Sequence, residues 1–120
     1  MEIFELKLAD KKVPLLWGTY AMKLFTEKKG WTLTELFNFL AKGAFSLSDI
    51  IDMIWAAAQY GCRKQQLDTL FGEMEVSEWI DECGGTGAKN SQIRDFLKHV
   101  IDSTVLKTSE PATETEEKKS

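Results

Sequence analysis

Residues 3–30, IFELKLADKKVPLLWGTYAMKLFTEKKG, contain the change of period that decides the fold. Ile3-Phe4-Glu5-Leu6-Lys7-Leu8 alternates, placing Phe4, Leu6 and Leu8 on one face and Glu5 and Lys7 on the other. Alternation at two residues is the signature of a half-buried strand. Ala9-Asp10-Lys11-Lys12 reads as a turn, and Val13-Pro14-Leu15-Leu16-Trp17 as a second short strand. Pro14 has no N–H to give to a ladder, so this strand is an edge or begins at the proline. From Thr19 the period lengthens: Ala21, Leu24 and Phe25 share a helical face, and Lys28-Lys29-Gly30 suits a helix C-terminus. A two-stranded hairpin is marginal alone in water, so it must lie on helices.

Further along, Thr32-Leu33-Thr34-Glu35 matches a capping box, opening a short helix that carries Leu36, Phe37 and Leu40 and stops near Gly43. Ser46-Leu47-Ser48-Asp49 offers another N-cap. Behind it Ile50, Ile51, Ile54, Trp55 and Ala58 form the apolar stripe of a central helix ending at Gly61. Leu67, Leu70, Phe71 and Met74 suggest a further helical turn or two, and Ser77 caps a short helix over 76–81, stopped by Gly84-Gly85. Asn90 caps the last helix, where Ile93, Phe96, Leu97, Val100 and Ile101 recur at i, i+3, i+4, i+7 and i+8. The fold class is α+β and mainly helical, an N-terminal β-hairpin packed on a small bundle of about five helices. Residues 1–106 form one globular domain. Residues 107–120 hold one alanine and otherwise Thr, Ser, Glu, Pro and Lys, too few apolar groups to offset ordering entropy, and read as a disordered polar tail.

Composition narrows the function classes. The 120 residues are 43% apolar, enough for one modest core without staples. The formal charge is −4, and Lys7, Lys11, Lys12, Lys23, Lys28 and Lys29 are scattered. Nucleic-acid binding needs concentrated positive charge to release counterions from phosphates, and none is present, so nucleic acid is not expected as a partner. Cys62 and Cys83 fit neither a disulfide framework nor a zinc spacing and read as small semi-buried thiols in a reducing cytoplasm. The start, Met1-Glu2-Ile3-Phe4-Glu5, is acidic and alternating, unlike a secretory leader, and no run approaches a membrane span. A cytosolic, soluble chain without membrane attachment is expected.

No constellation points to catalysis. His99, the single histidine, falls off the apolar stripe of the last helix and reads as solvated, with no partner to make it a base. Gly84-Gly85-Thr86-Gly87-Ala88-Lys89-Asn90-Ser91 tempts toward a phosphate loop. Ala88 separates the last glycine from the lysine, Asn90 stands where Ser or Thr belongs, and a helix precedes it. A helix stop and link fits better. Glu73, Glu75, Glu78, Asp81 and Glu82 lack calcium-loop spacing and read as a solvated face. No catalytic, cofactor-binding or metal-binding residues are assigned, and no cofactor is expected. The aromatics carry more weight: of four tryptophans, Trp55 lies on the apolar stripe and is expected in the core. Trp17 and Trp31 stand at element boundaries, where an indole packs while its N–H stays wet. With Phe39 and Phe45, which also fall off the best core stripes, they are the candidate partner-binding residues.

The order of these segments resembles one family. The alternating strand, the polar turn, Val13-Pro14-Leu15 and the fold-over Gly18-Thr19-Tyr20-Ala21-Met22-Lys23-Leu24-Phe25-Thr26-Glu27-Lys28-Lys29-Gly30 are similar to the opening of tail assembly chaperones of long-tailed bacteriophages and prophages. The cap at Thr32–Glu35, the apolar helix Ser48-Asp49-Ile50-Ile51-Asp52-Met53-Ile54-Trp55-Ala56-Ala57-Ala58 and the acidic Val76-Ser77-Glu78-Trp79-Ile80-Asp81 follow in the same order. The resemblance covers about residues 2–103. It implies a non-enzymatic protein of the bacterial host cytoplasm that binds the hydrophobic tape-measure protein and keeps it soluble while the tail tube polymerises around it, the tail-tube protein being a further partner. It also implies a longer product made by ribosomal frameshifting near the end of the shorter frame. It gives no residue-level site and leaves a homo-oligomer open. The rival expectation is a small phage-encoded adaptor or regulator of a host protein. A structural part of the mature tail is a third, distinguished by whether virions contain the chain.

Overall fold

The computed structural model describes residues 2–86 and 91–106. The tail expected over 107–120 and the Asn90 cap lie outside the described residues. Strands β1 (Ile3–Lys7) and β2 (Lys12–Leu16) pair antiparallel, with Phe4 opposite Leu15, Glu5 opposite Pro14 and Leu6 opposite Val13. The Leu8 amide donates to the Lys11 carbonyl at 2.8 Å and closes the turn. Ladder bonds therefore fall at Leu6–Val13 and Phe4–Leu15, which leaves Pro14 at a site where no N–H is required.

Both edges of this small sheet are covered where the proline and its neighbours leave backbone groups pointing outward. On the β1 side the Gln92 side chain behaves as one residue of a third strand. Its Oε1 accepts from the Lys7 amide at 2.8 Å, and its Nε2 donates to the Lys7 carbonyl at 2.9 Å. On the β2 side helix α3 (Leu47–Lys64) runs so close that a Cβ on Gly61 would overlap the Pro14 carbonyl oxygen. Only glycine permits that approach, and α3 continues through Gly61 to Lys64, so Gly61 is a packing contact and not the stop its sequence suggests.

Helix α1 (Thr19–Lys29) ends at Gly30, whose φ of 72° lets its amide reach the Thr26 carbonyl. Helix α2 (Leu33–Lys42) opens with the expected capping box: Thr32 Oγ1 accepts from the Glu35 amide and Glu35 Oε1 accepts from the Thr32 amide. Ser46 and Asp49 form the same reciprocal pair at the start of α3. The next segment departs from its expected reading. Residues 67–72 are not helical; the Asp68 carboxylate instead takes the Leu70 amide at 2.9 Å, and Gln59 donates to the Thr69 carbonyl. Helix α4 (Glu73–Glu82) then starts four residues before Ser77, with the Gly72 amide bonded to Glu75. Ser77 is no cap; inside the helix its hydroxyl donates back to the Glu73 carbonyl. Helix α5 (Gln92–Ile101) is capped by Ser91, whose Oγ accepts from the Ile93 amide, and passes into a π-helical turn over Asp102–Leu106.

Helix α3 is the centre of the molecule, packing against β2, α1 and α4, while α5 packs on β1 and the π-turn on α2. The core joins Leu6, Val13 and Leu15 of the hairpin to Phe25, Leu36, Leu40, Met53, Ile54, Val76, Ile93, Phe96 and Val100. Each of these large side chains contributes about 1.5–3 kcal/mol by leaving water. Trp55 is not in that core: it is half-buried at the edge, with the Lys28 ammonium 5.0 Å from its ring centroid. A charged clasp ties α1 to α3. Lys29 Nζ lies 2.7 Å from Asp49 and 3.1 Å from Asp52, and Asp52 is buried.

Candidate protein-binding surface

The four aromatic residues singled out in the sequence belong to one chain of rings organised around Phe25. Trp17 meets Phe25 edge-on at 6.0 Å, and Phe25 meets Trp31 at 5.8 Å and Phe39 at 5.8 Å. Trp31 lies 4.9 Å from Phe39, which lies 5.0 Å from Phe45. The local reasons are the two helix boundaries: Gly30 turns the chain so that Trp31 falls back on α1, and Gly43 does the same before Phe45. Tilted and edge-on pairs at such spacings each add about 0.5–1.5 kcal/mol beyond burial.

The ends of this chain differ. Trp17 is only 4% exposed, and its indole N–H donates to Thr104 Oγ1 at 2.9 Å. The expectation that this N–H stays wet is therefore corrected: the π-turn after α5 carries a hydroxyl onto it, and Trp17 offers no open face. Trp31, Phe39 and Phe45 are half-buried, packed against the core and against one another. Phe45 also borders a shallow groove of about 350 Å³ with Gly43, Arg94, Leu97, Lys98 and Ile101. Leu33 and Leu47, the first residues of α2 and α3, are more than half exposed and stand two residues from Trp31 and Phe45 in the chain. The result is an aromatic ridge anchored from below by Phe25 and open along its outer side.

The charge beneath the ridge is fixed. Lys29 Nζ sits 5.6 Å from the Phe25 centroid and 5.9 Å from that of Trp31. Burial works against its charge, but the bonds from Asp49 and Asp52 outweigh burial and hold its pKa above the ordinary lysine value. For Asp49 burial likewise opposes the charge, and the bonds from Lys29 and Ser46 win, leaving the carboxyl below its usual value.

Elsewhere the chemistry is quiet. Glu73, Glu75, Glu78, Asp81 and Glu82 are not buried, with the Gly72 amide holding Glu75 below the usual carboxylate value. His99 is half-buried, not solvated, tilted against the Phe4 ring at 6.1 Å. Cys62 and Cys83 are free thiols, and burial pushes both upward, away from the reactive thiolate. Among the described residues no helix is long and apolar enough to cross a membrane. The exposed leucines at 67 and 70 escaped the sequence reading because their spacing imitates a helical stripe. The contrary signal is Asp68 two residues before Leu70, a pattern that competes with helix by bonding its own backbone. No family model, curated protein or solved structure matches this chain.

Proposed function

We propose that the chain is a phage tail assembly chaperone that binds the tape-measure protein through the ridge of Trp31, Phe39 and Phe45 and keeps it soluble during tail assembly. The observation that carries this reading is the ridge itself. Trp31 and Phe39 rest directly on the buried Phe25, Phe45 rests on Phe39, and each of the three keeps a side in water, the arrangement an apolar partner helix requires. Rigid rings lose little conformational freedom on binding, so a large part of their remaining burial appears as affinity. The resemblance of its segment order to that of tail assembly chaperones suggests the identity of the partner. The role is non-catalytic and belongs to the cytoplasm of a bacterial host, where the tape-measure protein is made.

The test is co-expression with the tape-measure protein of the same phage. Soluble co-purification is expected, and Trp31→Ala or Phe45→Ala weakens it while the variants keep a cooperative melt. A tape-measure protein equally insoluble with and without the chain overturns the proposal and favours an adaptor that binds a host protein.

A further inference from the structure

A second groove, of about 350 Å³, opens between the hairpin and α4. Its floor is apolar, with Val13, Pro14, Phe71 and Trp79. Lys11 and Lys12 stand along the hairpin side, Asp68 and Glu75 along the side of the α3–α4 connection and α4. From that second side Leu70 projects into solvent, 88% exposed, and Met74 follows at 68%. Together they leave an apolar edge in water beside the apolar floor of the groove.

We propose that this groove is the contact between two copies of the chain, Leu70 of each seated in the groove of the other. A two-fold interface must be complementary to itself, since one patch forms both halves. This patch meets that condition twice. It carries both a projecting leucine and an apolar recess. It also carries two cations on one side and two carboxylates on the other, so a half-turn brings lysines against carboxylates. A groove of one sign would repel its own copy and select a foreign partner of opposite charge. Three of the four charges are also positioned in advance, while Lys12 lies 4.0 Å from Glu5 across the hairpin. The Leu70 amide holds Asp68 at 2.9 Å, the Gly72 amide holds Glu75 at 2.8 Å, and Lys11 lies over the Trp79 ring at 5.5 Å. Little side-chain entropy is left to lose on docking. None of this depends on the chaperone reading.

Sedimentation equilibrium of the full chain over a range of concentrations tests it. A reversible species of twice the 13.6 kDa chain mass is expected. Leu70→Glu, at a site too exposed to disturb the fold, is expected to weaken it at least tenfold, which corresponds to about 1.4 kcal/mol. The variant K11E/K12E makes the groove uniformly acidic. The variant D68N/E75Q makes it basic, while the amide oxygens introduced still accept the bonds from Leu70 and Gly72. Each is expected to sediment as a monomer with an unchanged circular-dichroism spectrum, and an equimolar mixture to recover the two-chain mass. A wild-type chain that stays monomeric, a dimer indifferent to Leu70→Glu, or a mixture that stays monomeric overturns the proposal. So does a monomeric chain whose Leu70→Glu variant loses the tape-measure protein, because the groove then belongs to a foreign helix.

Discussion

Replacing Gly61 by alanine sets two effects of known sign against each other. Inside a helix, alanine is favoured over glycine by about 1 kcal/mol, so by propensity alone Gly61→Ala stabilises α3. The contact with β2 opposes it. The new methyl would overlap the Pro14 carbonyl oxygen and come within 2.6 Å of its carbon and 3.2 Å of the proline Cβ. Backbone atoms cannot swing aside as a flexible side chain does, and the proline ring fixes its own φ. Relief must come from β2 moving off α3. That movement loosens Val13 and Leu15, both buried in the common core, and opens space beneath them at about 24 cal/mol per Å³. Overpacking of this kind typically costs about 1–3 kcal/mol and occasionally more; with backbone as the obstacle a gross cost of about 4 kcal/mol is expected, a net loss of about 3 kcal/mol after the propensity gain. That is a large share of the roughly 5–10 kcal/mol typical of a domain this size. Urea titration followed by tryptophan fluorescence reads it directly. With a slope of about 1.5 kcal/mol per molar, the midpoint should fall by about 2 M at unchanged slope. A midpoint equal to or above that of the wild type would refute the close approach and show that propensity had won.

Three other perturbations test separate parts of the structure. Lys29→Met leaves the Asp49 carboxylate without its cation and the buried Asp52 with only the more distant Lys28, at 3.9 Å, and should cost about 2–4 kcal/mol in a chemical melt. The wild type should lose stability as pH falls below about 4. The sign follows from Asp49, whose folded pKa lies below its unfolded value of 3.8, so its contribution is present above that value and lost as pH falls through the folded one. In Lys29→Met that acid-dependent loss should shrink, and an identical pH profile for both proteins would show that the clasp contributes nothing. Trp17→Phe removes the indole N–H bonded to Thr104 and should lower stability by about 1–3 kcal/mol, with binding of the tape-measure protein unchanged in the folded fraction. A binding loss without a stability loss would return Trp17 to the contact surface. Gln92→Ala strips both side-chain bonds from Lys7, and hydrogen exchange at the Lys7 amide should accelerate by about tenfold or more, against little change at Leu6, which bonds within the hairpin. Equal protection at Lys7 would mean that another group covers this edge.

Much of the architecture was legible because local chemistry and packing agree. The alternation of Phe4, Leu6 and Leu8, the Thr32–Glu35 and Ser46–Asp49 boxes and the stripe ending at Ile101 each name an element that the structure contains. The misreadings occur where a long-range contact overrides a local preference. Gly61 reads as a stop until β2 is seen against it. Ser77 reads as a cap, although Gly72 with Glu75 begins the helix a turn earlier. Trp17 reads as a boundary indole because its partner, Thr104, lies 87 residues away in the chain. The ridge was legible residue by residue as aromatics off the core stripes. Its shared anchor, Phe25, was read only as core, since sequence cannot show which rings meet. The groove beside α4 was not legible at all, because leucines at helical spacing hide a segment that has no helix.

The Gln92 clamp on β1 also sets an order of events during synthesis. Its two bonds join residues 85 positions apart, and a ribosome adding roughly 5–20 residues per second takes about 4–17 seconds to bridge that interval. Throughout it the hairpin can form and α3 can close over β2, since Gly61 is made well before Gln92. The outer backbone of β1 meanwhile stays uncovered, able to pair with any extended strand nearby. The nascent chain therefore passes through a period with one reactive edge, and that period ends only when α5 arrives.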